Sequence, residues 1–435
     1  MKKPGFFIFF FLAAILLITA VSAFAFLDTQ TTSQQENRAL AKMPELTEQT
    51  WLSGAFSQGM ENFLSDHVLE RGKWIAAAQK MEVSIGRKTD IQMVTHTTDL
   101  GGNQQTGTKT DLPAGVQQTQ QAAVENETQS EQKTQTPVQE TEQDQIVLDD
   151  RILIVYQTDA DTQDYYVKTT NKLFGLFPDY IRKYCLLAPM RIAFEEPEYA
   201  QYSDDQRADI RAVYERLDPL ITCVDTYTAL EAYQGELDDL YFRTDHHWTH
   251  YGAYLAAQAM WDQVGAQAEK IDAFTQKKGN DFSGYLAAQN PSFVADKHQD
   301  RLVYYLPGQG SLKEELHSME DDGKEKTEQA AVTNEKRQGY YTFVGRTFTY
   351  VVIDGRKTDG SCLIYISDSY GNALASWLGE QYDTVIEIDP RYFNGGKAGL
   401  QDLAEQYGMT DFMIVDYCGV LASPYYISQM EHLLE

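Results

Sequence analysis

The chain has 435 residues, with 64 acidic and 36 basic side chains and a net charge of −28. That balance argues against nucleic acid and against an anionic membrane surface as partners, and against tight binding of a polyanion. Apolar side chains make up 43%, enough for a sizeable core in one large or two medium domains.

Met1-Lys2-Lys3-Pro4 is a short basic start, and Gly5–Leu27 follows without a charge. That length predicts a membrane-spanning signal anchor over residues 1–27, because the apolar region of a cleaved signal is usually shorter. Ala23-Phe24-Ala25 would serve as the cleavage site if the segment were removed. The preceding lysines predict a cytoplasmic N-terminus, with everything after Asp28 outside, as a single-pass protein of the cell membrane. Residues 28–96 predict a juxtamembrane linker and two short amphipathic helices. Phe56, Met60, Phe63 and Leu64 recur at helical spacing in Ser53–Leu64, as do Trp74, Ala78, Met81 and Ile85 in Arg71–Ile85. Thr97–Gln145 is rich in Gln, Thr, Glu and Gly and nearly devoid of aromatics, which predicts a disordered insert over 97–145.

Residues 146–435 alternate between strand-like and helix-like runs. Arg151–Tyr156, Cys185–Ala188, Leu220–Val224 and Leu240–Arg243 read as strands, and Thr162–Phe177, Asp204–Leu217, Thr228–Tyr233 and Gly252–Val264 as helices. Arg301–Leu306, Gln338–Val344 and Thr347–Ile353 read as strands without intervening helices, and the polar stretch 308–337 as a second, loose insert. The alternation resumes with strands Leu363–Ile366, Thr384–Ile388 and Phe412–Val415 and helices Asn372–Gly379 and Leu400–Tyr407. This rhythm predicts an α/β fold, a parallel sheet flanked by helices, with function at the C-terminal ends of strands. Cys185, Cys223, Cys362 and Cys418 form no Cys-x-x-Cys pair, so zinc is unsupported. They read as buried thiols, and outside the cell one or two disulfides are permitted, with the pairing open.

Three of the eight histidines fall within Asp245-His246-His247-Trp248-Thr249-His250. Asp245 and His247 would share one face of an extended chain, the carboxylate orienting the imidazole, while His246 would face away. Far downstream, Ile366-Ser367-Asp368-Ser369-Tyr370-Gly371-Asn372 puts Ser369 just past a strand and at a helix N-terminus, where backbone N–H groups converge. Ser369, His247 and Asp245 are therefore the candidate nucleophile, base and orienter. Two plainer readings compete. Asp245 could cap a helix above packing histidines, or Asp245, His246 and His250 could bind a metal if the stretch were helical. The helix signal starts only after the motif, so no metal and no cofactor are expected. Trp248 reads as a pocket wall and Tyr370 as a candidate substrate contact. The Ser369 amide is the expected oxyanion donor, with Arg391, Asn372 and Asn394 as candidates for a second.

Asp-His-His-Trp followed by Thr and Gly-Ala resembles the signature of the bacterial DHHW proteins. The Ser367-Asp368-Ser369-Tyr370 block resembles the Gly-Asp-Ser block of SGNH hydrolases, with serine where glycine usually stands. Glu36-Asn37-Arg38-Ala39-Leu40 and Asp389-Pro390-Arg391-Tyr392 extend the resemblance, which covers most of 34–428 apart from the two inserts. The chain is most similar in kind to the periplasmic SGNH-like proteins that acetylate alginate. They too carry Asp-x-His-Trp ahead of the serine, permuted relative to ordinary SGNH hydrolases. The resemblance implies an SGNH-like α/β domain and an extracytoplasmic O-acetyltransferase or acetylesterase. Its substrate would be a cell-surface polysaccharide, its intermediate an acetyl-serine, and its acetyl supplier a multi-spanning membrane acyltransferase. The separate Gly and Asn donor blocks of ordinary SGNH enzymes are not found. The alternative function is a membrane-anchored carbohydrate-binding or envelope-assembly protein that keeps the fold without the reaction.

Overall fold

Strands that bury both faces need cover on both, and the central strands of this chain do so. Along Cys362–Ser367 every residue is buried, with Leu363 and Tyr365 entering one core and Cys362, Ile364 and Ile366 the other. In Asp411–Tyr417, Met413 and Val415 likewise oppose Phe412 and Ile414. The computed structural model describes residues 144–435 except 291–292, 294–298, 320–323 and 346–347. It also describes residues 32–33, 38–39, 42–44, 56, 60, 63 and 92–94. The anchor expected over 1–27, the Arg71–Ile85 helix and the body of the 97–145 insert lie outside these residues. Among the described residues no helix is long and apolar enough to cross a membrane. Phe56, Met60 and Phe63 are helical.

Among the described residues, besides the antiparallel pair Thr32–Ser33 and Arg38–Ala39, the strands are β1 (Gln92–Val94), β2 (Gln145–Val147), β3 (Ile152–Ile154), β4 (Arg182–Ala188), β5 (Ile221–Val224), β6 (Phe274–Phe282), β7 (Asp300–Pro307), β8 (Lys313–Met319), β9 (Glu325–Ala331), β10 (Tyr350–Asp354), β11 (Cys362–Ser367), β12 (Thr384–Ile388) and β13 (Asp411–Tyr417). The main helices are α1 (Ala160–Phe174), α2 (Gln206–Tyr214), α3 (Thr226–Glu231), α4 (His250–Val264), α5 (Tyr285–Gln289), α6 (Gly371–Gly379), α7 (Gly396–Gln406) and α8 (Pro424–His432). Asp159, Asp205 and Asp225 each cap a helix, accepting from the amide three residues on, a contribution of about 1 kcal/mol apiece.

The central sheet has the order β9-β8-β10-β12-β11-β13-β4-β5. The five strands from β12 to β5 are parallel, and β9, β8 and β10 extend the sheet antiparallel. Helices α4 and α6 cover one face, and α1, α2, α7 and α8 the other. After β11 the chain steps to β12 on one side and returns as β13 on the other. The crevice this reversal opens at the C-terminal end of β11 is the usual ligand position in such sheets.

Several expectations need correction. The parallel sheet is only part of a mixed one. The strand expected at Arg151–Tyr156 is β3, which belongs with β1 and β2 to a separate antiparallel sheet. Leu240–Arg243 is not a sheet strand, because its residues close a tight loop and only Tyr241 forms an isolated bridge, to Trp248. Stretch 308–337 is not loose: it supplies β8 and β9, and β8 pairs with β10 along five residues. Composition hid this because β9 is an exposed edge strand, and edges carry charge. Gln338–Val344 is not a strand but a 3-10 turn at Gly339–Thr342. The four cysteines are free, and Cys185 faces Cys223 in register across β4 and β5.

Val94 pairs with Gln145, so the polar insert leaves and re-enters at adjacent points of one hairpin. Replacing residues 97–142 by a short Gly/Ser linker is expected to leave a single cooperative thermal transition within a few degrees of the parent. Loss of cooperativity in calorimetry would show that the insert belongs to the core.

Candidate active site

The loop from Leu240 to Thr249 is closed on itself and pinned from outside. Thr249 N–H donates to Leu240 O at 2.8 Å and Phe242 N–H to His247 O at 3.2 Å. Asp300, at the start of β7, accepts from the amides of Arg243 and Thr244 at 2.9 and 2.7 Å. Ala287 N–H in α5 donates to Thr244 O at 3.0 Å, and Ile152 N–H in β3 to Arg243 O at 2.9 Å. The chain is therefore bent, not extended, at the motif. Asp245 Oδ1 accepts from His247 N–H at 3.1 Å, the two-residue side-chain turn that aspartate favours.

This turn brings Asp245 and His247 together. Oδ1 lies 2.5 Å from His247 Nδ1, and Oδ2 accepts from Tyr285 N–H at 3.0 Å. Burial would raise the Asp245 carboxyl, but the facing His247 and the donors to its oxygens outweigh burial and hold it well below the usual range. An ionised carboxylate only accepts, so Nδ1 carries the hydrogen and Nε2 is left as an acceptor. Nε2 lies 2.7 Å from Ser369 Oγ, across 122 positions of sequence. Asp245 and His247 are buried, while Ser369 keeps partial exposure. The line from carboxylate to imidazole to hydroxyl thus ends at the one member that solvent reaches.

Ser369 sits between the end of β11 and the start of α6, at the sheet's reversal point. Among the described residues no acceptor faces its amide. Behind it, Asp368 Oδ1 accepts from Tyr370 N–H at 2.7 Å and Oδ2 from Tyr417 N–H at 2.8 Å, tying the elbow to β13. Burial and then the neighbouring Asp416 raise Asp368 well above the carboxylate range. Asp416 in turn accepts from the phenols of Tyr166 and Tyr426 at 2.9 and 2.7 Å. On β12, Glu387 is fully buried and accepts from Ser367 Oγ at 3.0 Å, while among the described residues its second oxygen has no hydrogen-bond partner. Burial pushes Glu387 up to about 8, so at neutral pH it is held mainly as the neutral acid.

The other expected residues fall in different places. His246 does not face away: its ring lies 3.8 Å from that of His247, because the bent loop turns both imidazoles to one side. Its side chain keeps 20% exposure, yet burial of the ring, then His247 and Arg391, lower it to about 3 and keep it neutral. His250 opens α4 and is a packing residue. Its Nδ1 accepts from Tyr305 N–H, its Nε2 meets Ser376 Oγ, and its ring lies between Phe343 and Trp377. The Asp245, His246 and His250 metal set is therefore not assembled. Asp245, His246 and His247 do place ligand atoms within 4.8 Å of one another, but a cation there would compete with the 2.5 Å Asp245–His247 bond. Trp248 is fully buried and donates to Tyr370 O at 3.0 Å. It braces the elbow from beneath rather than lining an open pocket, and truncating such a side chain to alanine costs about 3–5 kcal/mol. Tyr370 is also buried, its hydroxyl spent on His246 O. Asn372 donates to Val344 O, and Arg391 is clamped on Asp389 by two bonds at 2.9 and 2.8 Å. Asn394 is exposed, and among the described residues no hydrogen bond joins it to Asp245, His247 or Ser369. Sequence reasoning missed Tyr285, Asp300 and Tyr340, because none stands near either motif in the chain.

Two outcomes are expected. A Cβ on Gly284 would lie 2.4 Å from Asp245 Cβ and 2.6 Å from Oδ2, so Gly284→Ala should displace the carboxylate. Reaction of Ser369 with a sulfonyl fluoride, followed by mass spectrometry, should slow at least about tenfold without loss of cooperative unfolding; unchanged labelling would contradict the Asp245 geometry. The second concerns Glu387, whose folded value of about 8 stands above the ordinary 4.5. Its contribution is complete below about pH 4.5 and is lost as pH rises through about 8. Glu387→Gln should therefore show a smaller fall in melting temperature between about pH 5 and 9 than the parent. An equal fall in both proteins would refute the assignment.

A DHHW family protein from Eubacterium siraeum DSM 15702 has a similar structure, with a TM-score of 0.58 at 23% identity over 68% of this chain and 96% of that one. PatB1 of Bacillus cereus, in a structure with a sulfonyl adduct, has a TM-score of 0.54 at 15% identity over 66% and 98%. The O-acetyltransferase domain of Pseudomonas putida AlgJ has a TM-score of 0.35 at 16% identity over 65% and 96%. No curated protein matches. The family model described as "DHHW protein" matches residues 119–388, well over half of the sequence and both motifs of the site, and the chain belongs to the DHHW family.

Proposed function

We propose that this chain is a serine-dependent O-acetyltransferase or acetylesterase that modifies a cell-surface polysaccharide through an acetyl-serine on Ser369. The observation that carries the reading is the continuous Asp245–His247–Ser369 hydrogen-bonded line, buried at one end and accessible at the other. Ser369 Oγ attacks the acetyl carbonyl carbon while His247 Nε2 takes the hydroxyl proton. The oxyanion develops beside the Ser369 amide at the head of α6, where backbone N–H groups and the helix dipole favour negative charge. Collapse expels the donor's alcohol, which leaves with the proton from His247. A sugar hydroxyl or water then gives its proton to His247 and takes the acetyl group, restoring Ser369. Asp245 stays ionised throughout and stabilises the imidazolium.

A sugar acceptor suits the surroundings. The rings of Tyr285 and Tyr417 flank His246 at 5.4 and 6.3 Å and are only partly buried, and sugars stack on such faces. The net charge of −28 favours a neutral or weakly charged polymer over a polyanion. Residues 1–27 anchor the domain on the outer side of the cell membrane in this reading. A multi-spanning acyltransferase delivers the acetyl group there.

Incubation with an activated acetyl ester, followed by mass spectrometry of the protein, tests the proposal. A single acetyl group should appear on the Ser369 peptide. Ser369→Ala should abolish it, and His247→Ala should slow it by at least about a thousandfold. Asp245→Asn should cost roughly ten- to a hundredfold less than His247→Ala, because it misorients the base without removing it. Labelling of Ser369→Ala at the parent rate would refute the nucleophile. Failure of the parent to label with any acetyl or sulfonyl donor would favour a binding or assembly role.

A further inference from the structure

Tyr340 stands on the 3-10 turn Gly339–Thr342, in the excursion between β9 and β10. Its ring lies flat on the His247 imidazole, with centroids 3.7 Å apart and planes inclined by 7°. The two residues are 93 positions apart, and among the described residues no second aromatic ring stacks parallel on His247. Tyr340 is itself held in place. Phe242 and Phe343 meet its ring edge-on at 6.3 and 5.5 Å, and its hydroxyl donates to Tyr370 O at 3.4 Å. The same carbonyl receives the Trp248 indole N–H. Gly339 permits the approach: its φ is +57°, and a Cβ there would lie 2.9 Å from the Phe282 ring.

We propose that Tyr340 is a second positioning residue of the base, beside Asp245: its ring face fixes the His247 plane and stabilises the imidazolium that forms during acyl transfer. The inference rests on the reading of His247 as base. The negative face of an aromatic ring attracts a cation and does little for a neutral imidazole. The stack therefore favours the transition state, in which His247 holds the serine proton, over the ground state. The other groups around this imidazole are Asp245 and His246 from its own loop, Ser369 and Tyr370 from the elbow with Asp368 behind them, and Arg391 beside His246. Among the described residues only Tyr340 presents a parallel ring face, so its electrostatic effect can be changed without touching the hydrogen-bonded line.

The experiment measures hydrolysis of a chromogenic acetyl ester against pH, from about pH 5 to 9, in variants at this position. Tyr340→Phe keeps the ring face and should hold kcat within about threefold. Tyr340→Leu removes the face and should lower kcat about ten- to thirtyfold with KM changed less than about twofold. The acid limb should move to lower pH, because a less stabilised imidazolium loses its proton sooner. Phenylalanines of increasing fluorination at 340 keep the shape and reverse the quadrupole, so kcat should fall stepwise along the series even if Tyr340→Leu does not fold. Side-chain NMR of His247 in the same proteins gives a readout independent of turnover, and its titration midpoint should fall in the same order. A flat fluorination series in both readouts, or Tyr340→Phe as damaged as the fully fluorinated variant, would overturn the proposal. His247→Ala in the same assay separates the two ideas. Parent-like hydrolysis by His247→Ala would sink the base itself, whereas its loss together with a flat series would sink only the role of Tyr340.

Discussion

The site depends on keeping one charge ionised inside the protein. Asp245 is buried, and an unpaired buried carboxylate would take up a proton and cease to orient anything. Its oxygens are met instead by the His247 ring, the His247 amide and the Tyr285 amide. That requirement dictates much of the surrounding architecture. The loop must bend so that residue 247 returns to residue 245, α5 must begin beside it to offer the Tyr285 N–H, and Gly284 must be bare for the chain to pass so close. One step away Asp300 accepts from the amides of Arg243 and Thr244 that the bend would leave unpaired, although there burial outweighs the donors and raises the carboxyl.

The serine is presented by a different logic. The parallel strands bring their C-terminal ends together, and the reversal at β11 leaves a crevice there for the elbow. Beneath it lie Asp368, Asp416 and Glu387, three buried carboxyls whose protonation burial favours. Asp368 and Asp416 tie the elbow to β13, α1 and α8 through backbone amides and tyrosine hydroxyls. A neutral acid can be buried at modest cost where an anion could not, and burial pushes these three carboxyls up while Asp245, facing the imidazole, is held down.

The antiparallel excursion completes the arrangement. Strands β8 to β10 widen the sheet, and the turn that follows β9 returns over the site to lay Tyr340 on His247. His247, Ser369 and the ring of Tyr340 therefore come from three separate stretches of chain, each closely packed, which is how precise geometry is maintained without a ligand.

The sequence alone determined which residues of the two motifs meet and most of the parallel half of the fold. Thr384–Ile388 is a strand with the expected bounds, and Ser369 follows a strand and precedes a helix as its neighbours suggested. These features are local, written in short apolar runs and in residues within a few positions of one another. What the sequence concealed is non-local. The polar composition of 308–337 described an exposed edge, which is read identically to a loose insert until its partner strand is known. The period of an extended chain placed His246 opposite His247, but hydrogen bonds to Asp245 and Asp300 bend the loop and set the two rings side by side. Tyr340 was hidden for the same reason. Nothing within several residues of it carries chemistry, and only the fold, by closing a separation of 93 positions, puts its ring against the imidazole.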